Sequence, residues 1–209
     1  MVPGEEKALK YLQELGFTVG ASYLITEGIK KGLDIDAYAD LRYDYAQMRI
    51  IKEATENNID CSYIIGRNYS ASQMETVLGL VSSGLYCEEA TLEEYTPAQM
   101  KAIAKCINNK QSAVPFIKYP IAADFYDILY PVMQLYGWDD FSWVRSDMSE
   151  NFIQTICDLK ALNLFKEELL ILSESELMRE AERLKAEERD KSKFTKKNLS
   201  KFKIFSNYK

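Results

Sequence analysis

The side chains with chemical potential in this 209-residue chain fall into a few groups. Adjacent carboxylates occur at Glu88/Glu89, Glu93/Glu94 and Asp139/Asp140, the raw material of a divalent-metal site or an acid–base pair. Neighbouring residues on a helix point about 100° apart, so such pairs seldom converge on one ion or one bond. Histidine is absent. That removes Ser-His-Asp and Cys-His nucleophile systems, most zinc sites and the commonest general base near neutral pH. The four cysteines, Cys61, Cys87, Cys106 and Cys157, show no C-x-x-C spacing and read as small, reduced, buried residues. The expectation is a non-enzymatic chain with no cofactor and no metal.

What remains is recognition. Residues 191–209 carry seven lysines, among them Lys193, Lys196, Lys197, Lys201 and Lys203, and no acid. Removing those seven from 26 bases leaves 19 against 32 acids, so residues 1–190 carry −13. An acidic body with a basic, aromatic-rich tail is a statement about partners. The tail could contact nucleic acid or an acidic partner. A second feature is an aromatic block from Phe116 to Trp143 that holds both tryptophans. Its Trp138, Asp139, Asp140 and Trp143 are candidate interface anchors, against the plainer reading of aromatics as core.

The elements that must position these groups are set by a repeat. YDYAQM (Tyr43–Met48), YSASQM (Tyr69–Met74) and YTPAQM (Tyr95–Met100) recur at intervals of 26 residues, a period typical of repeat architectures. Asp44, Ser70 and Thr96 are N-cap types, and Gln47, Gln73 and Gln99 sit three residues on, which makes a capping box. Tyr before each cap and Met four after it have the spacing of a hydrophobic staple. The same count places an earlier cap at Thr18. Gly32, Asn58 and Gly84 share a stop column suited to the left-handed conformation that ends a helix. About 14 residues separate start from stop, a helix of roughly 20 Å. Asp34 and Asp60 are placed to cap a second, single-turn helix after each stop.

Past Pro120 the copies degrade. Asp124, Ser149 and Ser173 are the expected later caps, and Gly137 and Asn163 the later stops. The expected fold is all-α: a helical-repeat, solenoid-like array of long-helix plus short-helix units. The repeat domain spans 1–172, with units near 17–42, 43–68, 69–94 and 95–120 and degenerate copies to 172. A charged C-terminal helix (173–190) and the basic aromatic tail (191–209) follow. If units stack, equivalent links line one edge. Eight acids fall there, Asp34, Asp36, Asp40, Asp60, Glu88, Glu89, Glu93 and Glu94, against Arg42 and Arg67.

The Y-[ST]-x-x-Q-M pattern and GLDIDAYA (Gly32–Ala39) resemble short helical repeats of uncharacterised Firmicutes and mobile-element proteins. That resemblance covers residues 17–100 and implies an all-α protein of plasmid, phage or conjugative-element biology, with no catalytic residues to carry over. The sequence contains neither an apolar run long enough to span a membrane nor a secretory signal, so a cytoplasmic protein is expected. The function expected is protein binding by an inhibitor or adaptor, of the anti-CRISPR kind, whose acidic face blocks a basic nucleic-acid channel in a partner such as a nuclease. The alternative is a nucleic-acid-associated factor acting through its lysine tail.

Overall fold

Helix starts fall where the caps place them. In the computed structural model, which describes the backbone of residues 3–206 and the side chains of residues 6–191, Thr18 Oγ1 accepts the Ala21 N–H at 3.2 Å and opens α2 (Val19–Lys31). Asp44, Ser70 and Thr96 open α3 (Tyr45–Glu56), α4 (Ala71–Ser82) and α5 (Pro97–Asn108), each with a complete capping box. Met48, Met74 and Met100 are at most 1% exposed. Tyr69 is buried, and Tyr43 and Tyr95 are half-buried. The first helix, α1 (Pro3–Glu14), ends at Gly16, whose φ is 102°.

Stops keep the same beat. Gly32, Asn58, Gly84, Lys110 and Asn163 all take φ between 55° and 70°. After each, the next residue's N–H reaches back five residues to a helical carbonyl at 2.8–3.0 Å, as from Leu33 to Gly28 and from Leu164 to Leu159. This is the Schellman closure, which satisfies carbonyls that the helix end would orphan. Lys110 belongs to this column although neither its type nor its charge announces it. A β-carbon in the left-handed region costs about 1–2 kcal/mol, partly offset by the extra unfolded-state freedom of glycine. Lys110→Gly should therefore raise stability by about 1 kcal/mol, read as a higher midpoint in urea at unchanged slope.

Among the described residues the chain is all-helical, with nine α-helices, four short 3-10 segments and no strand. It divides into two compact units, Met1–Pro120 and Ile121–Lys209. In the first, α1 through α5 each pack on the next, and the short α6 (Val114–Lys118) closes on α5. The boundary at Pro120 coincides with the end of the clean 26-residue copies. In the second unit, α7 (Tyr126–Tyr136) packs on α8 (Glu150–Ala161), and α8 on α9 (Glu174–Ser206). Leu177, Ala181 and Leu184 form the buried face of α9. No helix among the described residues is long and apolar enough to cross a membrane.

Two local expectations fail. The single-turn helix expected after Gly32 is only a turn: Asp34 accepts the Asp36 N–H at 3.1 Å, and this side-chain bond competes with helix extension. The Asp60-capped segment does form, as a 3-10 turn over Cys61–Tyr63, and its counterpart spans Glu88–Ala90. Asp124 does not cap α7. It lies exposed within the 3-10 segment Pro120–Phe125, and α7 begins at Tyr126 with no side-chain cap bond.

The core repeats with the helices. Tyr38, Ile64, Ala90 and Phe116, each 26 residues apart, are all fully buried. Ten residues before them stand Gly28, Ala54, Leu80 and Cys106, also buried. The two columns trade volume: the largest residue of one column falls opposite the smallest of the other, as close packing requires.

Candidate functional site

The repeat motif does more than start helices. The Gln side chain of each box accepts the cap N–H through Oε1, at 2.7 Å for Asp44, 2.8 Å for Ser70 and 3.1 Å for Thr96. Its amide nitrogen then donates to the segment that follows its helix: Gln47 to the Tyr69 carbonyl at 2.7 Å, Gln73 to Glu93 and Tyr95 carbonyls at 2.8 Å each, and Gln99 to the Phe116 carbonyl at 3.2 Å. The tyrosines reinforce this. Tyr43 Oη accepts the Gly66 N–H at 2.9 Å, and the Tyr69 hydroxyl donates to the Thr91 carbonyl. Each motif thus ties the start of its own helix to the link that leads out of that helix. A carboxylate could cap equally well but has no N–H to donate. The box at Ser173, on the last helix, has Glu176 in the Gln position.

These ties place successive links side by side in the first unit. Tyr63 lies against Tyr86 with ring centroids 4.4 Å apart, and Glu93 accepts the Asn68 N–H at 3.0 Å. Asp34, Asp36, Asp60, Glu88, Glu89, Glu93 and Glu94 are exposed, and Asp40 is half-buried. Much of the aspartate charge serves local structure. Asp60 accepts the Ser62 N–H at 2.8 Å, and the Ser62 hydroxyl together with that N–H holds its carboxyl below the usual range. Asp40 is held down by its hydrogen bonds to the Arg42 guanidinium. Glu88 lies 3.6 Å from Arg67. Glu89 and Glu94 make no ion pair among the described residues. Four of the eight carboxylates thus share the Glu88–Glu94 link, the densest exposed run on this edge.

In the second unit the aromatic block is organised by a residue that the sequence reading passed over. Lys160, in the last turn of α8, holds its ammonium 5.2 Å from the Trp138 ring centroid, 5.0 Å from Trp143 and 4.6 Å from Phe165. Three π faces around one cation are a favourable electrostatic arrangement. Burial pushes the Lys160 ammonium below the usual lysine range, against the opposing pull of Cys157 and Asp140. Trp138 also stacks on Tyr136 at 5.1 Å. Trp138 and Trp143 are half-buried, whereas Asp139 and Asp140 are exposed. Asp140 accepts the Ser142 N–H at 3.0 Å. The signal that would have found Lys160 is the repeat itself: three residues before the stops Gly32, Asn58, Gly84 and Lys110 stand Ile29, Thr55, Val81 and Ile107, and before Asn163 a lysine.

Other ionisable groups are structural. Lys52 sits 5% exposed in a buried column shared with Thr26, Leu78, Ala104 and Cys157. It pairs with Glu27 at 3.4 Å and with Glu56, which Lys31 also meets at 2.9 Å. Hydrogen bonds from Lys31 and Lys52 hold both carboxyls below their ordinary range. Burial pushes the Cys61 thiol up and the Cys157 thiol to about 11, so both stay protonated. Among the described residues no group of three or more His, Cys, Asp or Glu is placed to hold a metal ion. The tail candidates Lys193, Lys196, Lys197, Lys201 and Lys203 lie outside the residues whose side chains are described. Comparison with known proteins returns no relative: no family model, no curated protein and no solved structure matches the chain.

Proposed function

We propose that this chain is a protein-binding module without catalytic activity, its units stacked as a solenoid-like array, and that it acts in the cytoplasm as a mobile-element inhibitor or adaptor. In the concrete form of the proposal, an acidic link enters the basic nucleic-acid channel of a partner nuclease, in the manner of an anti-CRISPR. The observation that carries this reading is the Glu88–Glu94 run, where four exposed carboxylates occupy one short link and Glu89 and Glu94 have no ion-pair partner among the described residues. A channel lined to neutralise phosphates attracts such a cluster and gains association rate from it.

A guide-loaded CRISPR nuclease is the direct probe. The chain should inhibit target cleavage, and the pair Glu89→Lys and Glu94→Lys should weaken binding by about tenfold or more while leaving the melting temperature unchanged. Raising salt from about 0.05 M to about 0.5 M should weaken it as well, because exposed charges are screened over a shorter length. An affinity indifferent to salt counts against electrostatic docking. Nucleic-acid binding that disappears on truncation before Lys191 would favour the lysine tail instead.

A further inference from the structure

The Lys160 cluster is not required by the repeat. At the matching position of the first unit, Ile29, Thr55, Val81 and Ile107 serve the same kind of helix end, closed by the same Schellman bonds. A cation there is therefore an addition. Among the described residues it forms no ion pair, although it is partly removed from water. It faces a pocket of about 310 Å³ lined by Trp138, Lys160, Asn163 and Phe165. That volume is at the small end of the range for small-molecule sites. The lining combines aromatic walls, one positive charge and one amide. Asn163 occupies the left-handed stop with φ of 56°, a position that the first unit fills with Gly32, Asn58, Gly84 and Lys110, so the backbone there accepts residues with and without an amide. The indole Nε1–H of Trp143, whose ring also faces the Lys160 ammonium, is buried with no hydrogen-bond partner.

We propose that this pocket binds a small organic anion, an aromatic body bearing one carboxylate or phosphate. The anionic group meets the Lys160 ammonium, which three π faces surround. The Asn163 amide supplies a second, orienting hydrogen bond, and the Trp138 and Phe165 rings wall the aromatic body. Exposed Asp139 and Asp140 beside the block disfavour a polyanion, which limits the ligand to a single charged group of this kind.

The two tryptophans are the only ones in the chain, so the full-length protein reports on this site through its own emission. Titration with adenosine monophosphate and, separately, with 4-hydroxybenzoate should change tryptophan emission saturably. Binding of only one of them identifies the preferred anion. Neutral adenosine should bind at least about tenfold more weakly than its monophosphate, the loss expected for one charge-assisted hydrogen bond. Lys160→Met, which keeps the stem and drops the charge, should cost a similar factor. Asn163→Gly should keep the helix end intact, because glycine is the favoured residue there, and still weaken binding about threefold or more. Near-ultraviolet circular dichroism of both variants establishes that the cluster is folded. No saturable change with either anion, equal affinity for adenosine and its monophosphate, or undiminished binding by folded Lys160→Met would each overturn the assignment.

Discussion

Gly28→Ala should cost about 3 kcal/mol of unfolding free energy, the range for displacing a large buried aromatic. A β-carbon built on Gly28 would stand 1.7 Å from the Tyr38 hydroxyl oxygen and 3.1 Å from Cζ. The ring cannot swing away without leaving the core, because Tyr38 is fully buried. The backbone of α2 cannot yield cheaply either, since the buried Ala21, Leu24 and Ile25 fix it. Urea unfolding measures the loss, and a double-mutant cycle assigns it. The Tyr38 hydroxyl is buried without a hydrogen-bond partner, and burial pushes it up to about 12, so it is always protonated. Removing it is therefore nearly free, and Tyr38→Phe alone should stay within about 1 kcal/mol of the parent. Combined with Gly28→Ala, Tyr38→Phe should restore about half of the loss, because the contact at 1.7 Å disappears and the one at 3.1 Å remains. Strict additivity of the two changes would show that Gly28 is needed for some other reason.

The same pair explains which parts of the fold were legible in the sequence. Helix starts and stops are short-range signals: a cap, its box and a left-handed residue lie within a few positions of the groups they satisfy. Thr18, Asp44, Ser70, Thr96 and Ser149 are all found as caps for this reason. Lys110 escaped because the Schellman bonds impose the left-handed backbone on an unfavourable residue type. Asp124 misled because an N-cap type is common in any turn, and the 3-10 segment after Pro120 absorbs it. The complementarity of Gly28 with Tyr38 is a through-space fact, visible only once a turn has folded the chain back onto α2.

The candidate surfaces divide along the same line. Exposure of the acidic links follows from their position after each stop, but which carboxylates are taken up by N–H groups and guanidinium partners depends on geometry. That is why Glu89 and Glu94 separate from Asp40 and Asp60 only in the structure. The Lys160 cluster draws on α8 and on the segments before and after it. Its rings are scattered at Trp138, Trp143 and Phe165, with no spacing that marks them as a set. What the sequence did hold was the contrast with Ile29, Thr55, Val81 and Ile107, a departure from the column and not a motif.

The largest departure from the capping interpretation concerns Gln73. If the residue were only the N3 member of a capping box, Gln73→Glu would be neutral or mildly stabilising, because a carboxylate accepts the Ser70 N–H and favours the helix N-terminus. The structure predicts the reverse. The Gln73 amide nitrogen donates to the carbonyls of Glu93 and Tyr95, both at 2.8 Å. A carboxylate has no proton for either and would set its charge against two carbonyl oxygens. Gln73→Glu should therefore destabilise by about 2 kcal/mol at neutral pH, at least as much as Gln73→Ala, given two lost bonds and two acceptors left facing a charge. The pH dependence separates the causes. The neutral acid can again donate to one carbonyl, so the introduced carboxyl group should have a folded-state pKa above its unfolded value. Its penalty is then present above that raised pKa and shrinks as pH falls through it, whereas the Gln73→Ala loss gains no such recovery. Urea midpoints of parent and both variants across the acidic range decide the matter. Parent-like stability of Gln73→Glu at neutral pH would reduce Gln73 to a cap and remove the tie between one unit and the next.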